Sequence, residues 1–125
     1  MAFYPRASYR AKHEAHKMNK AEEAFSWILE KRKLVGEILD WAFEPEKLYL
    51  ADGTWFTIDF RVILADERVV MYEVKGESKK SKLGRWEEDA RVKIKVAAKE
   101  HPYIFRAVVV NRKGQLIHEE QIGRV

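Results

Sequence analysis

The chain contains no cysteine and no long run of hydrophobic residues. The absence of cysteine excludes disulfide frameworks, thiolate zinc sites and cysteine nucleophiles, and it is compatible with a reducing interior. No segment approaches the roughly 18 apolar residues that a membrane-spanning helix requires, and the first 20 residues lack the apolar segment of a secretion signal. We therefore expect a cytoplasmic protein with no membrane partner.

The length of the chain bounds the number of domains. Its 125 residues, 46% of them hydrophobic, suffice for one domain with a substantial core and are too few for two. Residues 1–18 show no apolar periodicity and predict a flexible basic arm. Residues 19–125 predict a single folded domain.

Charge is distributed unevenly along the chain, whose net charge is +4. Residues 1–20 carry a net charge of +4, residues 21–74 carry −6, and residues 75–99 carry +5. This pattern suits a protein whose basic flanks neutralise a polyanion while central carboxylates hold a cation. The alternative is ordinary clustering of charge on solvated faces.

Hydrophobic periodicity predicts two helices and five strands. The helices cover residues 20–35, after the N-cap candidate Asn19, and a basic segment between Trp86 and Pro102. The predicted strands cover residues 47–50, 55–64, 69–75, 103–110 and 115–121. The element order is αβββαβ with one further strand, and a helix between two strands is typical of a parallel crossover. We therefore predict an α/β fold, a mixed central β-sheet with flanking helices on both faces.

Strand alternation brings three charged side chains together. Asp59 lies on the more polar face of its strand, and Glu73 and Lys75 share one face of the next strand. Directly opposed residues lie on the same sheet face, so their numbers must sum to an even value. A sum of 132 places Asp59 opposite Glu73, and a sum of 134 places it opposite Lys75. Either register brings the three groups together.

These groups are the ones that metal-assisted hydrolysis of a phosphodiester requires. Two carboxylates and a backbone carbonyl, such as that of Val74, supply the oxygen ligands that Mg²⁺ prefers. Lys75 is placed to contact the attacking water or the charge that develops on phosphorus. The simpler interpretation of Glu-x-Lys on a strand is a surface ion pair contributing less than about 1 kcal/mol.

Glu22 is a further candidate, in the first turn of the predicted first helix. It lies at the edge of the apolar stripe formed by Phe25 and Leu29, so it can lean toward the sheet. There it would orient a water or help to hold a second metal ion. The alternative is an ordinary acid at a helix N-terminus, where the helix dipole favours it.

Four segments together resemble a known family. They are Met18-Asn19-Lys20 followed by Glu22, Leu50-Ala51-Asp52-Gly53-Thr54 leading to Asp59-Phe60, Glu73-Val74-Lys75-Gly76, and the segment 89–98. In this order they resemble the PD-(D/E)XK nuclease superfamily, and within it the small phage-encoded endonucleases related to Holliday junction resolvases. One position departs from the family pattern, because Ile58 stands where the family has proline.

The resemblance implies a restriction-endonuclease-like αβββαβ core and a Mg²⁺-dependent endodeoxyribonuclease, with Mn²⁺ as a substitute metal. Asp59 and Glu73 would hold the metal, Lys75 would assist the nucleophile, and Glu22 would be the acid of the first helix. The implied partner is DNA, branched or junction DNA included, in phage DNA metabolism within the host cytoplasm. A homodimer would supply two active sites related by symmetry.

Basic residues of the second half are our candidates for contacts with DNA phosphates. They are Lys79, Lys80, Lys82, Arg85, Arg91, Lys93 and Lys95. Two other functions remain open at this point. One is a non-catalytic nucleic-acid-binding module that retains the nuclease fold, and the other is an interaction protein whose basic arm docks an acidic partner.

Overall fold

The computed structural model of the chain describes residues 17–78 and 88–123. The predicted basic arm falls on residues outside these ranges, apart from Lys17 and Met18. Within the described ranges the chain forms two helices, neither of which is long and apolar enough to cross a membrane. The helices are α1 (Lys20–Leu34) and α2 (Glu88–Glu100). The strands are β1 (Ile38–Phe43), β2 (Lys47–Ala51), β3 (Thr54–Thr57), β4 (Phe60–Leu64), β5 (Val69–Gly76), β6 (Ile104–Val110) and β7 (Leu116–Ile122).

Five strands form a mixed central sheet in the order β1-β4-β5-β6-β7. β5 and β6 run parallel, with α2 between them along the chain, and the other neighbouring strands run antiparallel. β2 and β3 pair with each other in a separate hairpin, which turns at Asp52-Gly53. The predicted α/β fold with a mixed central sheet is therefore confirmed.

The start of α1 is fixed by a capping box. The Asn19 side chain accepts a hydrogen bond from the Glu22 backbone N–H (2.8 Å), and Glu22 Oε1 accepts one from the Asn19 N–H (2.9 Å). The helix ends at Leu34, one residue before the predicted end. Gly36 follows with a φ of +83°, a conformation that stops a helix at little steric cost.

Two hydrophobic cores lie on opposite faces of the sheet. On the first face, Phe25 of α1 packs against Phe60 and Tyr72, with ring centroids 5.4 and 5.0 Å apart. On the second face, Ile94 of α2 and Phe56 of the hairpin belong to one buried cluster. The even-numbered residues of β4 and β5 belong to the first core, as the alternation predicts. Helices on both faces are thus confirmed.

One strand prediction was wrong, and one strand was not predicted. Residues 55–64 do not form one strand, because the chain leaves the hairpin after Thr57 and enters the central sheet at Phe60. β1 was missed altogether, because it is an edge strand with an irregular register between Ile38 and Asp40. Its exposure does not alternate, so it has no period-two signature.

Candidate active site

Three polar side chains are buried among the residues that the structure describes, and all three are acids. Glu22 of α1 is 4% exposed, Asp59 is 8% exposed, and Glu73 of β5 is 6% exposed. Charged side chains are rarely buried unless they are paired or hold a metal ion. Their burial therefore marks this part of the molecule as a candidate functional site.

The position of Asp59 follows from the register of β4 on β5. Phe60 pairs with Tyr72 and Arg61 with Met71, so opposed numbers sum to 132 and the next position would set Asp59 against Glu73. Asp59 itself lies in the break between β3 and β4. Its Oδ2 accepts a hydrogen bond from the Val74 backbone N–H at 2.9 Å. This bond fixes the Asp59 carboxylate beside β5.

Glu73 and Lys75 form an ion pair on one face of β5. Lys75 Nζ lies 3.6 Å from Glu73 Oε2, and the Lys75 side chain is 29% exposed. The predicted common face is therefore confirmed. The simpler interpretation predicted an ion pair at the surface. The ion pair is instead partly buried, because Glu73 is buried. Its second oxygen, Oε1, is buried without a hydrogen-bond partner in the described residues.

Burial and the charge of a neighbouring acid raise the pKa values of both central acids. Loss of solvent and, to a smaller extent, the Glu22 charge raise the pKa of Asp59 to about 6, against the Val74 N–H bond. Loss of solvent and the Asp59 charge raise the pKa of Glu73 to about 9, against the attraction of Lys75. Two carboxylates this close do not both ionise readily. Without a cation, the pair therefore retains a proton at neutral pH.

Glu22 has the ordinary role of an acid at a helix N-terminus, and it also acts electrostatically on Asp59. Its Oε1 belongs to the capping box of α1, which is the ordinary role of an acid at this position. The residue is also buried, and its negative charge raises the pKa of Asp59. The first turn of α1 therefore lies close enough to act electrostatically on the Asp59 carboxylate.

The donor set suits a hard cation with several water ligands. No group of three or more His, Cys, Asp or Glu side chains is gathered for a metal ion in residues 17–78 and 88–123. Asp59 and Glu73 supply two carboxylates. Because the N–H and C=O of a strand residue point to the same side, the Val74 carbonyl faces Asp59 as its N–H does. Mg²⁺ commonly keeps several waters and needs few protein ligands, so these three oxygens fit it.

The predicted phosphate contacts fall into two groups. On α2, the Arg91 guanidinium lies 3.7 Å from a Glu120 carboxylate oxygen, so part of its charge is directed at β7. Lys93 is half-buried and Lys95 is exposed. The others lie in the segment 79–87, outside the described residues. They are Lys79, Lys80, Lys82 and Arg85.

A basic cleft beside the first turn of α1 was not predicted from the sequence. It has a volume of about 460 Å³. Residues from α1, the end of β5 and the turn between β6 and β7 line it, and no spacing along the sequence links these segments. Its lining comprises Lys20, Ala21, Ala24, Gly76, Glu77, Val110, Asn111, Arg112, Lys113 and Gly114.

Comparison of the chain with family models, curated proteins and solved structures found no match. The resemblance to the PD-(D/E)XK superfamily therefore remains a prediction from the motif residues.

Proposed function

We propose that the protein is a Mg²⁺-dependent endodeoxyribonuclease of the PD-(D/E)XK type. The observation that carries this proposal is the buried pair of Asp59 and Glu73, with Lys75 on the same face. Glu73 Oε1 is buried without a partner in the described residues. A buried carboxylate oxygen without a hydrogen bond destabilises the folded protein unless the group is protonated or binds a cation.

The fold supports a restriction-endonuclease-like core. Within the described residues, a helix precedes the antiparallel strands, and β5 then leads through α2 to the parallel strand β6. The acids lie toward the carboxyl end of β5. In sheets with parallel strands, ligands commonly bind outside such carboxyl ends.

Each residue has a role that its position allows. A bound Mg²⁺ neutralises charge on phosphoryl oxygens and promotes ionisation of a water molecule. Asp59, Glu73 and the Val74 carbonyl would hold the ion. Lys75, partly exposed, directs its ammonium group at the incoming water or at the phosphate. Glu22 adds negative charge beside Asp59 and favours cation binding there.

DNA is the proposed substrate, with branched or junction DNA included. The test is incubation of supercoiled plasmid and of a synthetic four-way junction with the purified protein, with Mg²⁺ and with a chelator. We expect cleavage with Mg²⁺ and none with the chelator.

A matched pair of variants identifies the site in this assay. Asp59→Asn should abolish cleavage, because it removes one metal-binding charge while preserving size. Asp52→Asn makes the same change at an exposed turn residue, which contacts the Tyr49 hydroxyl, and should leave cleavage unchanged. Wild-type cleavage by Asp59→Asn would contradict the proposal.

A non-catalytic nucleic-acid-binding module is the second candidate. It is favoured by the small donor set, since the described residues gather fewer than three acidic or histidine side chains as a metal group. A module of this kind would bind DNA in a salt-sensitive manner. That binding would survive both chelation and Asp59→Asn, and no cleavage would accompany it.

A further inference from the structure

The basic cleft opens where β5 and β6 end, beside the first turn of α1. Small residues form its floor. A Cβ on Gly76 would lie 3.6 Å from the Ala21 Cβ, and one on Gly114 would lie 3.5 Å from the Ala24 Cβ. Because α1 packs closely against the backbone at Gly76 and Gly114, no large side chain of the described residues fills the cleft from below. The space above is bordered by the longer side chains at its edge.

Three positively charged side chains lie at the edge of the cleft. Lys20, Arg112 and Lys113 are all exposed, and none of them forms an ion pair with another described residue. Among the described residues, Glu77 is the one acid in the lining. The cleft therefore carries net positive charge that the described part of the protein does not neutralise.

The turn that carries Arg112 and Lys113 is held in place by Asn111. Its side-chain Oδ1 accepts hydrogen bonds from the backbone N–H groups of Lys113 (3.0 Å) and Gln115 (2.8 Å). Its Nδ2 donates to Gln115 Oε1 at 2.9 Å. The two cations are thus presented on a preorganised turn, which lowers the entropic cost of binding an anion.

The cleft lies on the α1 side of β5, which is the side of Gly76, whereas Glu73 and Lys75 project from the opposite side of the strand. It is joined to the acid site through the first turn of α1, where Lys20 lies two residues before the buried Glu22. Gly76 lines the cleft, directly after Lys75 and three residues after Glu73. At about 3.3 Å per strand residue, the backbone covers about 10 Å from Glu73 to Gly76. That distance corresponds to about three steps of 3.4 Å along one strand of DNA.

From these observations we infer that the cleft is a phosphate-binding subsite for the DNA backbone next to the scissile bond. This inference rests on the proposed nuclease function. Lys20, Arg112 and Lys113 neutralise phosphates of the strand that Asp59 and Glu73 receive. No aromatic side chain of the described residues lines the cleft, so this part of the subsite contacts the backbone without stacking on bases.

The test measures DNA affinity against salt concentration, by fluorescence anisotropy with a short labelled duplex. All proteins carry Asp59→Asn, so that no cleavage occurs. The test variant adds Arg112→Gln and Lys113→Gln, both at exposed turn positions. The control adds Lys31→Gln and Lys99→Gln, which remove the same charge from exposed positions in the last turns of α1 and α2. Thermal melting confirms that each variant is folded.

The slope of log affinity against log salt is negative, and each lost phosphate contact makes it less steep by about 0.9. The test variant should lose up to about two such contacts and bind about tenfold more weakly at low salt. The control should keep the parent slope, and Lys20→Gln added to the test variant should remove one contact more.

Equal slopes in the test and control variants would overturn the inference, and so would an absence of DNA binding. Cleavage by the protein without these substitutions is a separate readout. If the slope becomes less steep as expected and no DNA is cut, the cleft is a binding site for DNA phosphates and the nuclease proposal fails.

Discussion

Asp59 and Asp66 lie at the two ends of β4, and their environments are opposite. Asp59 is buried, and loss of solvent raises its pKa to about 6. Asp66 is exposed in the turn between β4 and β5. There the Arg68 backbone N–H and guanidinium bond its carboxylate at 3.1 and 2.8 Å and lower its pKa.

The difference shows what distinguishes a functional acid from an ordinary one in this fold. Asp66 is exposed to solvent and accepts hydrogen bonds from Arg68, so its negative charge is already stabilised. Asp59 shares a buried space with Glu73 and lies under the influence of Glu22. Their arrangement is unfavourable for anions and favourable for a cation.

The largest effect is expected on cleavage of DNA. Glu73→Gln keeps the shape of the side chain and removes a metal-binding charge, so plasmid cleavage should fall by about 100-fold or more. Asp66→Asn should cleave as the wild type does. Equal cleavage by Glu73→Gln and Asp66→Asn would show that the buried acids are no more important for cleavage than the exposed Asp66.

The next effect concerns Mg²⁺ and thermal stability. An ion that binds only the folded state at 100 times its Kd adds about 2.7 kcal/mol to stability. Mg²⁺ should raise the melting temperature more at pH 8 than at pH 6, because protons compete for the carboxylates. Glu73→Gln should lose this shift and Asp66→Asn should keep it. The same shift in both variants would place the ion elsewhere.

A smaller effect is expected on stability against pH. The pKa values of Asp59 and Glu73 are higher in the folded than in the unfolded protein, so folding takes up protons. Their contribution is present in full below the unfolded pKa values of 3.8 and 4.5, and it is lost as the pH rises through the folded pKa values of about 6 and about 9. Glu73→Gln should therefore be more stable than wild type at pH 9, by more than about 1 kcal/mol.

Urea denaturation of both proteins between pH 5 and pH 9, without divalent ions, checks this expectation. The difference between them should grow with pH, since the glutamine has no proton to lose. A difference that stays constant would show that Glu73 does not titrate as a buried acid.

The smallest effect is expected at Asp66. Because its pKa is lowered by folding, its contribution to stability is present above the unfolded pKa and is lost as the pH falls through the folded value. Asp66→Asn should thus be less stable than wild type near neutral pH, and the two should converge at acid pH. Urea denaturation from pH 7 to pH 2.5 measures this, and a gap that widens toward acid pH would contradict it.

Local sequence patterns were sufficient for the parts of the site that lie on regular elements. The alternation in β4 and β5 predicted the common face of Glu73 and Lys75, and one of the two permitted registers is observed. The Asn19 cap and the apolar spacing predicted α1. In each case the pattern is formed by residues close together in the sequence, either alternating along a strand or spaced as in a helix.

Other features depend on tertiary contacts, so no local pattern could reveal them. The strand break at Asp59 has the hydrophobic alternation of a continuous strand, and the Val74 N–H that binds the Asp59 carboxylate lies 15 residues away. The burial of Glu22 requires α1 to pack over the sheet. The basic cleft joins Lys20 to Arg112, which only the fold brings together.

The most direct test of the central claim is a crystal structure of the protein soaked in Mn²⁺, with an anomalous difference map. We predict a peak about 2.1 to 2.2 Å from carboxylate oxygens of both Asp59 and Glu73. The Val74 carbonyl should face the same ion. A map with no peak there, or with a peak only elsewhere while Glu73 stays paired with Lys75, would contradict the account.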